Sequence, residues 1–158
     1  MCDCFKTAEY FLRLQTGDAG DAISNMKLQK LLYYAQGFAL AIFGKPLFND
    51  DFEKWAYGPV LPVVYNKYKA FGSEAIPRPE GASLQDYTDD ERKLLDEVYY
   101  TFGQYSAWAL SEMSHATAPW RDAECEPTRL LSAFRDIFMA RTMFVARRTR
   151  PGGILPNP

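Results

Sequence analysis

The segment from residue 24 to residue 46 constrains the fold of this chain more than any other part of the sequence. Ser24 is a suitable N-cap, and Gly44-Lys45-Pro46 supplies a stop signal. Between them, apolar residues recur at helical spacing: Leu28, Leu31, Leu32, Ala35, Phe38, Ala39 and Ile42. Tyr33 and Gly37 lie between the faces, so the predicted helix is apolar over more than half of its circumference. We therefore expect it at the centre of the core, with a polar side formed by Lys27, Lys30 and Gln36.

Other helices are predicted from the same combination of apolar spacing and end signals. Asp3 can cap a first helix, and Thr88 with Glu91 forms the pattern of a capping box. In the helix that begins at Ser106, Trp108 is assigned to the apolar stripe. The predicted helices cover residues 4–15, 24–43, 62–71, 88–102 and 106–115, followed by a last one from Pro127.

One short stretch has an extended rather than a helical pattern. Phe48 and residues 52–55 are predicted to form short extended segments around a turn at Asn49-Asp50, and residues 57–62 are predicted to break any regular element. The expected fold class is mainly α, a compact single-domain helical bundle with a small β-hairpin-like element around residues 47–57. We expect residues 1–147 to form the domain and residues 148–158 to be a flexible tail.

The aromatic content is high for a chain of this size. The chain has 158 residues, which suits one domain, and 15% of them are Phe, Tyr or Trp. So many large rings indicate either a core rich in rings or an exposed contact face. Tyr and Trp carry polar atoms that need partners and are favoured at protein interfaces. We expect most rings to line the core and a few to form a contact face.

The distribution of charge gives little support for a nucleic-acid-binding or membrane protein. The net charge is −2, but residues 141–158 contain Arg141, Arg147, Arg148 and Arg150 and no acidic residue. Cations are favourable at the end of a helix, and DNA contact by this basic end is the alternative interpretation.

The most apolar stretch is shorter than the about 20 residues that a membrane span needs. With no secretory leader pattern and an odd number of cysteines, we expect a cytoplasmic protein.

Catalytic and metal-binding patterns are weak. His115 is the one histidine, so a hydrolase would have to use it with Cys125 or a serine; a structural histidine at a helix end is the favoured interpretation. Cys2, Cys4, His115 and Cys125 could form a zinc set, but their spacing is unlike that of structural zinc sites. We expect three reduced thiols, no metal, no cofactor and no catalytic residue.

Three ordered blocks of sequence carry a resemblance to a known family. The first is Met26-Lys27-Leu28-Gln29-Lys30-Leu31-Leu32-Tyr33-Tyr34-Ala35-Gln36. The second runs from Lys45 to Val60 and includes Trp55-Ala56-Tyr57-Gly58-Pro59, and the third runs from Leu110 to Ala123. Together they resemble the Panacea-domain, SocA-like antitoxin family, formerly an uncharacterised phage-associated domain family.

The resemblance implies a non-enzymatic protein that neutralises a cognate toxin by direct binding. The resemblance also implies that some family members act instead as adaptors that present the toxin to a protease, which would be a second partner. The resemblance implies a compact helical fold with a small β element. The residues that we assign to partner binding on this basis are Lys27, Gln29, Lys30, Tyr33, Gln36, Trp55, Tyr57 and His115. The expected contact face combines the polar side of helix 24–43 with the nearby aromatic residues.

Overall fold

The computed structural model describes residues 3–18, 20–80, 87–117 and 120–121 of the chain. These residues form five α-helices, one short 3-10 helix and one two-stranded antiparallel sheet. The elements are α1 (Cys4–Leu14), α2 (Asn25–Phe43), β1 (Glu53–Trp55), β2 (Gly58–Val60), α3 (Pro62–Tyr68), the 3-10 helix (Lys69–Phe71), α4 (Asp89–Phe102) and α5 (Ala107–His115). The predicted fold class, mainly α with a small β element, is confirmed.

Several predictions fall outside the described residues. These are the cysteines Cys2 and Cys125, the helix expected from Pro127, the basic residues Arg141 to Arg150 and the tail at residues 148–158.

The helices begin at side-chain caps that the sequence indicates. The Phe5 amide donates to the Asp3 carboxylate at 3.0 Å at the start of α1. Thr88 and Glu91 form the predicted capping box at the start of α4, since each side chain accepts from the backbone amide of the other. These contacts satisfy amide groups that have no partner within the helix.

Helix α2 is the centre of the core, as its sequence predicts. Of its 19 residues, 15 are buried. It packs against α1, α3, α4, α5 and β2. The helix ends at Gly44, whose positive φ of 67° lets its amide donate to the Leu40 carbonyl. Despite its apolar character, neither α2 nor another helix in the described part of the chain is long and apolar enough to cross a membrane.

The β-hairpin lies further along the chain than the sequence indicates. In the register, Glu53 faces Val60, Lys54 faces Pro59 and Trp55 faces Gly58, with Ala56 and Tyr57 in the turn. The predicted turn at Asn49-Asp50 is wrong, and so is the prediction that residues 57–62 break regular structure. Pro59 lies in β2 although proline has no backbone N–H. Its carbonyl points away from β1 and accepts from the Lys30 ammonium. At this residue the pairing with β1 therefore requires no N–H donor.

The predicted polar side of α2 is not exposed to solvent. The exposed fraction is 4% for Lys27, 1% for Gln29, 1% for Lys30 and 0% for Gln36. The expectation that these side chains face solvent is therefore wrong. The physical reason is that the non-helical segment between α2 and α3 covers the polar side of α2. Gln29, Lys30 and Gln36 form hydrogen bonds with the backbone of that segment.

Gln36 shows how such a side chain replaces regular backbone pairing. Its Nε2 donates to the Phe48 carbonyl at 2.7 Å. Its Oε1 accepts from the Leu47 amide at 2.9 Å and from the Phe48 amide at 3.4 Å. One buried amide side chain thus satisfies three polar groups of a segment that belongs to no helix or strand, and it holds Leu47 and Phe48 in the core.

We predict that Gln36→Leu lowers the free energy of unfolding by about 2–4 kcal/mol, because it leaves buried backbone groups of Leu47 and Phe48 without partners. Urea denaturation measures this change. Gln104→Leu is the matched control, since Gln104 is exposed and its Nε2 bonds to the Thr101 carbonyl close in sequence; we expect a change within about 0.5 kcal/mol. Equal losses in the two variants would contradict the role given to Gln36.

Candidate functional site

Side chains of α2 and α5 close one edge of the β-hairpin. The Ser111 hydroxyl donates to the Tyr57 carbonyl at 2.8 Å, and the Lys30 ammonium donates to the Pro59 carbonyl at 3.0 Å. The Leu61 amide donates to Gln29 Oε1 at 2.8 Å. Three side chains thus bond to alternate residues along this edge of the chain, where a third strand would otherwise pair. They fix the hairpin on the helices.

The contact made by Gln29 continues to helix α3. Gln29 Nε2 donates to Asn25 Oδ1 at 3.0 Å, and Asn25 Nδ2 donates to the Tyr65 carbonyl at 3.0 Å. Each buried amide therefore has both of its ends bonded, which fixes its orientation. This series of bonds joins the first turns of α2 to the hairpin on one side and to α3 on the other.

Lys30 lies directly beneath Gly58 of the hairpin. Gly58 has a φ of 102°, and a Cβ at this position would lie 2.7 Å from Lys30 Cε and 2.7 Å from Ser114 Oγ. A side chain is therefore excluded both by backbone conformation and by space. Burial lowers the pKa of Lys30 to about 7, because its ammonium faces a neutral carbonyl in place of water.

The other residues predicted on α2 are also parts of the interior. Tyr33 is fully buried, and its hydroxyl lies 2.7 Å from Thr117 Oγ1, which itself donates to the Ser114 carbonyl. Burial lowers the pKa of Lys27, and the nearby charge of Asp21 partly offsets this effect. Like Gln29, Lys30 and Gln36, these two side chains support the fold from beneath the surface.

Three exposed aromatic side chains lie at and beside the turn of the hairpin, and we refer to Trp55, Tyr57 and Trp108 as the hairpin-tip surface. Their exposed fractions are 37%, 61% and 60%. The ring centroids of Tyr57 and Trp108 are 6.2 Å apart. Trp55 packs edge-on against Tyr65 at 4.8 Å, and its indole N–H donates to the Glu53 carboxylate at 2.8 Å. Large exposed rings close together are typical of a protein-binding surface.

Trp108 belongs to this surface although its sequence position indicates a core residue. The buried residues of α5 are Leu110, Ser111 and Ser114, so the assignment of Trp108 to the apolar stripe is wrong. The two serines take the buried positions because the hairpin backbone and Lys30 come too close for larger side chains. Trp108 lies one turn before Ser111, at the border of the buried face and next to the hairpin turn.

His115 lies at the end of α5 and near the outer side of the hairpin. Its ring stacks on Trp120 with a centroid distance of 5.0 Å, and the Lys54 ammonium lies 5.1 Å from the Trp120 ring centroid. His115 Nε2 is buried and has no hydrogen-bond partner among the described residues. His115 is thus linked through Trp120 to Lys54, which projects from the face of β1 opposite to Trp55.

The described residues offer few groups for metal binding. No cluster of three or more His, Cys, Asp or Glu side chains that could hold an ion occurs within residues 3–18, 20–80, 87–117 and 120–121. Cys4 is buried, and the pKa of its thiol is raised by burial and by the neighbouring Asp50 carboxylate. A raised pKa disfavours the thiolate form that binds metals and attacks electrophiles.

We predict that Gly58→Ala destabilises the protein by more than about 2 kcal/mol, because the added methyl group must displace Lys30 or Ser114 in addition to straining the backbone. Thermal and urea denaturation measure the loss. Gly44→Ala is the matched control, because Gly44 also has a positive φ but has open space where a Cβ would lie. We expect it to lose about 1 kcal/mol, which is the cost of conformation alone. Equal losses would show that the contact with Lys30 adds nothing.

We predict that the free energy of unfolding rises with pH between pH 7 and 8.5, and that Lys30→Met removes most of this rise. The pKa of Lys30 is about 7 in the folded protein and 10.5 for an ordinary lysine, so the unfolded chain holds the additional proton in this interval. Stability therefore increases with pH, at about 1 kcal/mol per pH unit. The Cys4 thiol lowers the free energy of unfolding at higher pH, because its pKa is raised from 9.0 in the folded protein. This opposite effect sets the upper end of the pH interval in which stability is predicted to rise.

Urea denaturation at a series of pH values checks this slope. The exposed Lys69 provides the control, since Lys69→Met should keep the slope of the unaltered protein. A slope that persists in Lys30→Met would assign the effect to another group.

Comparison with known proteins identifies the family. Residues 28–121 match the family model described as Antitoxin SocA-like, Panacea domain. Over 109 residues, the chain is 39% identical to Antitoxin SocA of Caulobacter vibrioides (strain NA1000 / CB15N). The aligned part covers 62% of this chain and 58% of the relative, so the chain spans somewhat more than half of that protein's length. No solved structure matches.

The matched region contains the elements that form the site. It includes Lys30 of α2, the complete β-hairpin, and Ser111 and Ser114 of α5. It also covers more than half of the 158 residues. The chain therefore belongs to the SocA-like, Panacea-domain antitoxin family.

Proposed function

We propose that this protein is an antitoxin that neutralises a cognate toxin by binding it directly through the hairpin-tip surface. The observation that carries the proposal is the pair of exposed rings, Tyr57 and Trp108, which come from separate elements and lie 6.2 Å apart. A tyrosine and a tryptophan are favoured anchors in protein interfaces. Family membership supports the antitoxin role.

We assign residues to the proposed toxin-binding surface by the solvent exposure of their side chains. Of the residues that the sequence assigns to partner binding, Trp55, Tyr57 and His115 remain in the proposed contact surface, and Trp108 joins them. Buried residues of α2 are assigned an indirect role, since they hold the hairpin in place; they are Lys27, Gln29, Lys30, Tyr33 and Gln36.

We propose that the protein binds its target and does not catalyse a reaction on it. His115, the one histidine in the sequence, stacks on Trp120 and has its Nε2 buried, so it is better placed to support the surface than to transfer protons. Blocking of the toxin and its delivery to a protease both begin with this binding step. They differ in what happens to the toxin afterwards.

We predict that Tyr57→Ser together with Trp108→Ser abolishes protection when this protein is co-expressed with the toxic product of the adjacent gene. Loss of two anchor rings should weaken binding by at least about 100-fold, while exposed positions tolerate the change with little loss of stability. Growth of the cells measures protection, and the melting temperature of the purified variant checks its fold. Tyr100→Ser is the matched control, because Tyr100 is 72% exposed but lies on α4.

Two further results complete this experiment. Full protection by the double variant would contradict the proposed surface, and a neighbouring product that is harmless alone would contradict the antitoxin role. The amount of toxin in protected cells separates the two modes of action. A constant amount indicates blocking, and a fall that requires a protease indicates delivery for degradation.

A further inference from the structure

We propose that the hairpin-tip surface binds an arginine side chain of the partner, which stacks on the exposed rings of Tyr57 and Trp108 and pairs with the carboxylate of Glu112. The proposal rests on the proposed function, because the partner is the toxin. It adds the chemical nature of the group that the surface recognises.

The position of Glu112 follows from the geometry of α5. Trp108 and Glu112 are four residues apart on this helix, so their side chains are neighbours on one face. Both are exposed. The hydrogen bond from Ser111 to the Tyr57 carbonyl holds the hairpin turn against the same helical turn. Two aromatic rings and one carboxylate thus share a single exposed region.

A second carboxylate lies in the hairpin itself. The Glu53 carboxylate accepts a hydrogen bond from the indole N–H of Trp55 at 2.8 Å. This bond orients one carboxylate oxygen, and the neutral N–H donor does not cancel the negative charge of Glu53. Side chains alternate along a strand, so Glu53 and Trp55 project to one side of β1 and Lys54 to the other. Lys54 lies with its ammonium over Trp120. Glu53 therefore lies beside Trp55, and Lys54 projects from the opposite face of β1.

The cation beneath the hairpin does not cancel this negative charge. Lys30 is 1% exposed, and the backbone of β2 lies between its ammonium and the surface. Its lowered pKa further reduces its positive charge near neutral pH. A positively charged ligand on Tyr57 and Trp108 therefore meets the Glu112 carboxylate and the electron-rich faces of the two rings.

Arginine fits this combination better than an apolar side chain does. The guanidinium group is planar, stacks on aromatic rings and donates two parallel hydrogen bonds to a carboxylate. An apolar side chain would cover the rings but would gain nothing from Glu112 or Glu53. The occupant is an arginine from another protein, and an arginine from the basic end of this chain is the competing possibility that the experiment must separate.

The first experiment uses the full-length protein and a small probe. We expect Nα-acetyl-arginine amide at millimolar concentration to shift the indole N–H signal of Trp108 in nitrogen-15 NMR spectra. Nα-acetyl-citrulline amide, which has nearly the same shape but no charge, should shift this signal at least five times less. Glu112→Gln should weaken arginine binding about five-fold or more, whereas Glu97→Gln, which removes an exposed carboxylate of α4, should leave it unchanged.

Three outcomes would overturn the inference: equal shifts with arginine and citrulline, no shift with arginine, or no effect of Glu112→Gln. The competing occupant has its own test, in which Arg147→Gln plus Arg148→Gln is made without added ligand. A shift of the Trp108 signal in that variant would assign the surface to the basic end of this chain and would also overturn the inference.

Co-expression separates this inference from the proposed function. If Trp108→Ser loses protection and Glu112→Gln keeps it fully, the antitoxin role stands and the arginine inference fails. If both lose protection, both are supported. If neither loses protection, the proposed binding surface itself is wrong.

Discussion

The fold depends on how the chain between α2 and α3 satisfies its backbone hydrogen bonds. One side of this segment is buried against helices and it contains only one short hairpin, so many of its polar groups have no strand or helix to pair with. Gln29, Lys30 and Gln36 of α2 supply the missing partners. A buried backbone group without a partner costs about as much as a good apolar contact gains, so these side chains decide where the segment can lie. The position of the hairpin follows from them.

The helices could be predicted from the sequence because their causes are local. Asp3, Ser24 and Thr88 each cap the helix that begins after them, and the apolar spacing of residues 28–42 identifies the buried helix. These signals involve residues within one or two turns of each other. No knowledge of the rest of the fold is needed to interpret them.

The polar residues of α2 could not be interpreted in the same way. A helical projection shows that Lys30 and Gln36 lie away from the apolar residues, but it does not show whether solvent or another segment of the chain faces them. Their partners, the carbonyls of Pro59 and Phe48, lie 29 and 12 residues away in sequence. The position of the hairpin is hard to predict for a similar reason. Asn49-Asp50 is a good local turn pattern, whereas the turn at Ala56-Tyr57 is held by a contact with α5 that is distant in sequence.

The exposure of the residues assigned to partner binding could be predicted only in part, and the reason is physical. Trp55 and Tyr57 are assigned from the resemblance of their sequence block to the family, and both side chains are exposed in the structure. Trp108 was missed because its exposure depends on Ser111 and Ser114, whose small size is required by the close approach of the hairpin at Gly58. The close approach of the hairpin thus gives the buried positions that face it to serines, and Trp108 lies beside them at the surface.

This arrangement has a consequence for binding. The turn that carries Tyr57 is held by the Ser111 bond at its own carbonyl and by the Lys30 bond two residues later. An anchor ring on a fixed backbone loses less conformational freedom when a partner binds than the same ring on a free loop. Buried Lys30 carries a cost, since its ammonium is removed from water, and that cost is highest at low pH, where the lysine is fully protonated. The protein therefore gives up part of its stability to hold the turn that carries Tyr57 in place.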